Sequence, residues 1–286
     1  MRSRFGWLAA LLTLAAVFAI GAAPDARAEA GKPLNLAFVL LSEPALPSGE
    51  AIARAYARFA PKTEHLRVKG TTSKGKMSVL ELDLSPHGTA FVALMPVPVP
   101  QGEADEAARY SLSAIGTGWK LGPHKAHLMV TFHGAGGDGA LAALNRFTSL
   151  VAAVTQSAPA VGVYWGEAGA THDPKYVVAT AAEPGIVPRI TLWTGVSMAR
   201  DGASRLSLLS LGMKQLGLPE LLLTAPKGDA GRAFETFFDL LAYVAERGKA
   251  LPDGDTVGRS ESERLPVHYV ASPIKPGERV WRVDLE

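Results

Sequence analysis

Residues 130–147, "VTFHGAGGDGALAALNRF", run from an apolar stretch through four glycines into a segment rich in alanine and leucine. A short apolar run closed by glycines reads as a strand and its turn, and the segment after it as a helix. With "AHLMVTFH" (126–133) as the strand before and "AVGVYWG" (160–166) as the strand after, the stretch becomes a β-α-β unit. Whether such units repeat decides the fold, because strict β-α alternation builds a doubly wound sheet and mixed runs build α+β.

Outward from this unit the alternation fails. On the N-terminal side, "PLNLAFVLL" (33–41) is a buried strand by length and apolarity. A helix follows, with Ser48 as N-cap, Ile52, Ala55, Tyr56 and Phe59 at helical spacing, and Pro61 as its stop. "HLRVKG" (65–70), "MSVLELDL" (77–84) and "TAFVALMPV" (89–97) then read as turn-linked antiparallel strands, with Leu80, Leu82 and Leu84 facing inward. "PVPVPQG" (96–102) is too rich in proline for a central strand and marks a crossover, followed by a short polar helix over 103–112.

On the C-terminal side, "RITLWTGVSM" (189–198), "RLSLLSL" (205–211) and "ELLLT" (220–224) read as strands. A patterned helix over 229–247 buries Phe234, Phe237, Phe238, Leu241 and Val244 and closes at Gly248. "PVHYVAS" (266–272) and "RVWRVDL" (279–285) form a terminal strand pair. The expected fold is therefore α+β: mixed, largely antiparallel sheets with packed helices and one central β-α-β unit.

The chain opens with Arg2 and Arg4, an apolar run from Phe5 to Ala23, and Ala26-Arg27-Ala28. This is the pattern of a secretory signal peptide over residues 1–28, and it implies a periplasmic or secreted protein. The remaining chain divides at the proline-rich segment into an N-terminal α+β region, 29–100, and a C-terminal α+β region, 101–286. Removing Arg2, Arg4, Arg27 and Asp25 takes the formal charge from +2 to 0, which gives no footprint for nucleic acid. There is no cysteine, so the fold rests on its core and a cysteine nucleophile is excluded. Later apolar segments are short and broken, so no membrane span is expected once the leader is removed.

"GAGGDG" (134–139) has the G-x-G-x-x-G spacing of a dinucleotide turn, with Glu167 beyond the next strand as the ribose acid. It lies far into the chain without further β-α repeats, and an exported protein rarely meets free NAD. The expectation is a structural turn in which Asp138 caps the helix, with no cofactor bound. "HGAGG" also has the glycine run of a hydrolase oxyanion loop. The matching triad would be Ser197 of "GVSMA", Asp253 or Asp255, and His268. A nucleophile elbow needs a helix after its serine, whereas Ser197 is followed by a turn and another strand, so serine hydrolysis is the runner-up function. His124 and His127 stand three apart and His127 shares a strand face with His133, but the i, i+6 separation of about 20 Å is too long for one ion, and "DGD" (253–255) lacks the other oxygens of a calcium loop, so no metal site is expected. Trp119, Trp165, Trp193 and Trp281 read as core residues.

Residues 207–224, "SLLSLGMKQLGLPELLLT", carry Gly212, Gly217, Pro219 and Glu220 in a "G…G-x-P-E" pattern. After the 229–247 helix comes "LPDGDTVG" (251–258), whose Asp253 to Gly258 form a D-G-D-T-hydrophobic-G turn. This combination resembles the bacterial domain of unknown function 4261 over roughly residues 190–270, with Leu216 where an aromatic is expected. The resemblance implies a recurring globular unit and brings no reaction and no catalytic residue. The expected function is a non-catalytic binding module of the cell envelope with a protein partner. Its recognition loop would lie within residues 248–263, at Asp253, Asp255 and Thr256, because polar loops held between ordered elements often carry recognition.

Overall fold

The computed structural model describes residues 35–286, apart from Lys76 and residues 259–262. The leader and its cleavage site lie outside the described residues. The fold is α+β. Seven strands form the first sheet: β1 (Asn35–Leu41), β2 (Arg67–Lys74), β3 (Met77–Asp83), β4 (Gly88–Met95), β5 (Ala126–Gly134), β6 (Ala160–Trp165) and β7 (Ala170–His172), in the order β2-β3-β4-β5-β1-β6-β7. Every described pairing in it is antiparallel.

The β-α-β unit is present in split form. Helix α4 (Gly139–Gln156) links β5 to β6, but β1 lies between them and runs antiparallel to both, so β5 and β6 are parallel without touching. That insertion explains why the stretch resembles a doubly wound unit while the sheet is antiparallel. The proposed division at residue 100 falls inside this sheet, since β4 and β5 are hydrogen-bonded from Gly88↔Gly134 to Met95↔His127.

One face of the sheet is packed by α1 (Gly49–Tyr56) and α4. Ser48 caps α1, its hydroxyl accepting from the Ala51 amide at 3.2 Å. Leu80, Leu82 and Leu84 are buried. The opposite face is crossed by residues 96–125, which contain the short helices α2 (Glu103–Ala107) and α3 (Leu112–Thr117) and form a second apolar cluster with Phe38, Leu40 and Tyr164. The proline-rich segment is thus the start of a strap that leaves and re-enters adjacent strands.

Residues 174–182 and 186–193 form helices α5 (Pro174–Ala182) and α6 (Ile186–Trp193). The strand expected from Arg189 is corrected: the chain is helical to Trp193, and β8 (Gly195–Asp201) begins only after it. A run as short and apolar as "RITLW" suits either state. Tertiary contacts decide, since the buried Trp193 indole donates to Thr148 Oγ1 of α4 at 2.8 Å. Gly195 then passes so close to the Ala168 carbonyl that a Cβ would lie 2.4 Å from it. Helix α5 was signalled by Asp173-Pro174: Asp173 accepts from the Lys175 amide at 2.9 Å, and proline suits the first helical turn.

The second sheet joins β8, β9 (Arg205–Leu211), β10 (Leu221–Pro226), β13 (His268–Ala271) and β14 (Arg279–Asp284) in the order β13-β14-β10-β9-β8, with only β10 and β14 parallel among the described pairs. Helix α7 (Ala230–Arg247) buries Phe237, Phe238, Leu241 and Val244 against it; Phe234 is half-buried, and Gly248 ends the helix with a φ of 64°. A two-stranded ribbon, β11 (Thr256–Val257) and β12 (Leu265–Pro266), precedes β13. One continuous apolar core runs from the first sheet to the second through Trp165, Trp193 and Phe237. Among the described residues, no helix is long and apolar enough to cross a membrane.

Candidate functional site

The glycine loop leads to a chain of charges. Gly136 and Gly139 take φ values of 94° and 76°, which turn β5 into α4, and the Ala135 amide donates to the His87 carbonyl at 2.8 Å. Asp138 occupies the N-cap position, but its side chain makes no cap hydrogen bond. Its Oδ2 instead lies 2.8 Å from His87 Nδ1 and accepts from Arg146 at 2.9 Å. Arg146 Nε donates to Glu64 Oε1 at 2.9 Å, and the Tyr56 hydroxyl donates to Glu64 Oε2 at 3.2 Å. The expected helix cap is therefore corrected: an imidazole and a guanidinium take the carboxylate, and the charged guanidinium is a stronger donor to it than a backbone amide.

This arrangement shifts the protonation of two of its members. The His87 hydrogen bond, helped by Arg146, holds the Asp138 carboxyl below its ordinary value. Burial, and then Glu64, push the Tyr56 hydroxyl up. Glu64 and Arg146 also line a cleft of about 530 Å³ between α4, the loop after α1 and the α5–α6 connection. Arg189 on its wall donates to the carbonyls of Phe59, Asn145 and Ala181 and to Asn145 Oδ1. It thereby ties three elements together. Glu64, His87, Arg146 and Arg189 escape sequence reading because they are drawn from four segments with no motif spacing.

The sequence-derived triad is not assembled. Ser197 sits on β8 and His268 on β13, the two edges of the second sheet, with β9, β10 and β14 between them. Four strand spacings separate them by roughly 19 Å. Asp253 is near His268, its Oδ1 3.9 Å from Nδ1, and accepts from the Tyr269 amide at 3.2 Å. Asp255 accepts from the Thr256 amide at 2.9 Å. A different serine and histidine do meet: Ser111 Oγ lies 2.7 Å from His172 Nδ1. Both are wholly buried, and His172 Nε2 donates to the Leu192 carbonyl, so the pair holds structure together. His127 Nδ1 similarly donates to the Val97 carbonyl at 2.8 Å, and His124 Nε2 accepts from the Val99 amide at 3.2 Å. His133 is exposed and meets Phe91 edge-on. Trp165, Trp193 and Trp281 are buried, while Trp119 is half-buried.

The "G…G-x-P-E" residues build a turn. Glu220, only 9% exposed, accepts from Ser210 Oγ at 2.5 Å, the Gly212 amide at 2.8 Å and the Met213 amide at 3.3 Å. Gly212 has a φ of 118°, and a Cβ there would lie 2.4 Å from the Trp193 carbonyl. Within this turn Gln215 accepts from the Trp165 indole and donates to the Trp193 carbonyl, joining the turn to the first sheet. In the D-G-D-T turn, Gly258 passes so close to the Glu263 carbonyl that a Cβ would lie 1.8 Å from it. These residues shape the backbone.

The family described as Domain of unknown function (DUF4261) matches residues 209–284. That span runs from the end of β9 through β10, α7 and the β11–β12 ribbon to β13 and β14, leaving out β8 and most of β9. The C-terminal part of the chain thus carries the unit that the motif residues indicated. No curated protein and no solved structure matches the chain.

Proposed function

We propose that this chain is an exported, non-catalytic binding module of the bacterial cell envelope that recognises a protein partner through residues 253–256. The observation that carries the reading is the fixed frame of that polar turn. The Gly254 amide donates to the Val267 carbonyl at 2.9 Å, and the Val267 amide donates to the Asp255 carbonyl at 2.8 Å. Leu251 and Val257, on either side, are buried. Asp253 and Thr256 stand exposed between these anchors, with Asp255 half-buried. A loop ordered in advance loses little entropy on binding, which favours recognition.

Export rests on the basic start, apolar run and Ala-Arg-Ala site of the leader. The runner-up, ester or amide hydrolysis by Ser197 with His268 and Asp253 or Asp255, finds no support in the separation of β8 from β13. A photocrosslinking residue at Thr256, compared with one at the exposed Tyr243, tests the reading in cells. The expected result is one discrete adduct from position 256 that is lost in Asp253→Ala/Asp255→Ala. Equal adducts from both positions, or turnover of any substrate by the purified protein, would refute it.

A further inference from the structure

Two histidines hold the strap of residues 96–125 to the first sheet and a third closes it on itself, with the three hydrogen bonds lying where the strap begins, ends or crosses. At its start, His127 of β5 donates from Nδ1 to the Val97 carbonyl. His124, at its end, accepts from the Val99 amide and so closes the strap on itself. In its middle, Ser111 meets His172 of β7. Beneath the strap, Val99, Ala104 and Leu121 cover Phe38, Leu40 and Tyr164 on the face of the sheet away from α4.

The direction of each bond matters. His172 Nε2 faces a carbonyl, which only accepts, so Nε2 carries the proton and Nδ1 accepts from the Ser111 hydroxyl. Ser111 Oγ then accepts from Ser113, whose Oγ accepts from the Asp173 amide at 3.0 Å. An amide at the far end only donates, so reversing the relay would strand one hydroxyl hydrogen in the core.

We propose that residues 96–125 form an acid-released strap, closed while His172 is neutral and opened by its protonation to uncover the apolar sheet face at Phe38, Leu40 and Tyr164.

The surroundings offer an added proton no counter-charge. Around His172 the facing groups are Ser111 and Ser113 of the strap, the Leu192 carbonyl of α6, and the Tyr176 ring of α5 at 6.2 Å. Asp173, next to it in sequence, is engaged in capping α5. His127 faces the Phe38 ring, the Val97 carbonyl and the His124 ring. Among the described residues, none of the three histidines forms an ion pair with a carboxylate. Burial accordingly pulls His172 and His127 each down to about 4. Opening lets the His172 ring hydrate, so its protonation favours the open state. For His172 alone this shift raises the opening equilibrium about 100-fold between pH 7 and pH 4.

Hydrogen exchange of the full chain, corrected for the intrinsic pH dependence of exchange, tests the proposal. Amides of the strap should lose about 100-fold of their protection between pH 7 and pH 4 while those of α7 keep theirs. In His172→Gln, which does not titrate, the loss should shrink at least tenfold. Because His172 lies in the core, a second reading uses the wild type: with ring-carbon-labelled histidine, the His172 resonance should titrate at the same midpoint as strap opening. Three results would overturn the proposal: strap protection independent of pH, loss of strap and α7 protection in a single step, or titration of His172 while the strap stays protected.

Discussion

Replacing Glu220 tests whether the motif of the C-terminal unit is architecture. In the native state its carboxylate satisfies two backbone amides, Gly212 and Met213, and the Ser210 hydroxyl, whose oxygen in turn takes the Leu221 amide at 2.8 Å. Alanine leaves three donors in a buried turn without their acceptor. Each costs on the order of 1 to 3 kcal/mol, and water entering the space left by the side chain recovers part of this, so Glu220→Ala should lose about 4 kcal/mol. Glutamine keeps one acceptor oxygen and turns an NH₂ towards the remaining donors, for a loss of about 2 to 3 kcal/mol. Burial raises the Glu220 carboxyl above its ordinary value of 4.5, so the folded state binds this proton more tightly than the unfolded chain. The associated stability is present below 4.5 and is lost as pH rises through the folded value. The gap between wild type and Glu220→Gln should therefore be wider at pH 4 than at pH 7. Urea unfolding followed by tryptophan fluorescence at the two pH values measures it. A loss below about 1 kcal/mol for both variants, or a gap that widens with pH, would sink the assignment of Glu220 as the staple of this turn.

The two glycines of the same motif should separate. Gly212→Ala forces a Cβ against the Trp193 carbonyl in a left-handed conformation and should cost more than about 2 kcal/mol, whereas Gly217→Ala, at a φ of 70° but facing open space, should cost about 1, by the same unfolding assay. Asp138→Asn should lower the urea midpoint at pH 7, and the difference from wild type should shrink as pH falls below 3.8, because a carboxyl held low by His87 and Arg146 contributes stability above its ordinary value and loses it on acidification through its folded value. A fluorophosphonate probe should leave the native protein unlabelled; labelling that vanishes in Ser197→Ala would restore the hydrolase alternative.

Much of the architecture was legible because local signals and tertiary needs agreed. Ser48 capped a helix, Leu80, Leu82 and Leu84 alternated into the core, and Gly248 ended α7, each through rules that act within a few residues. The glycines and Glu220 of the C-terminal motif were likewise readable as turn-formers, since their constraints are imposed by backbone conformation and close approach. Only the tertiary structure decided matters that depend on partners far along the chain. Asp138 satisfies the rule for an N-cap, yet its carboxylate turns to His87, 51 residues away, and to Arg146. "RITLW" is compatible with a strand until Thr148 of α4 supplies the acceptor for the Trp193 indole. The insertion of β1 between β5 and β6 converts an apparent doubly wound unit into part of an antiparallel sheet. The order Ser197, Asp253, His268 matches a catalytic sequence, but order along the chain carries no information about which edge of a sheet a strand occupies. The same is true of the strap: Ser111 and His172 lie 61 residues apart, and they meet because the fold lays one segment across the other.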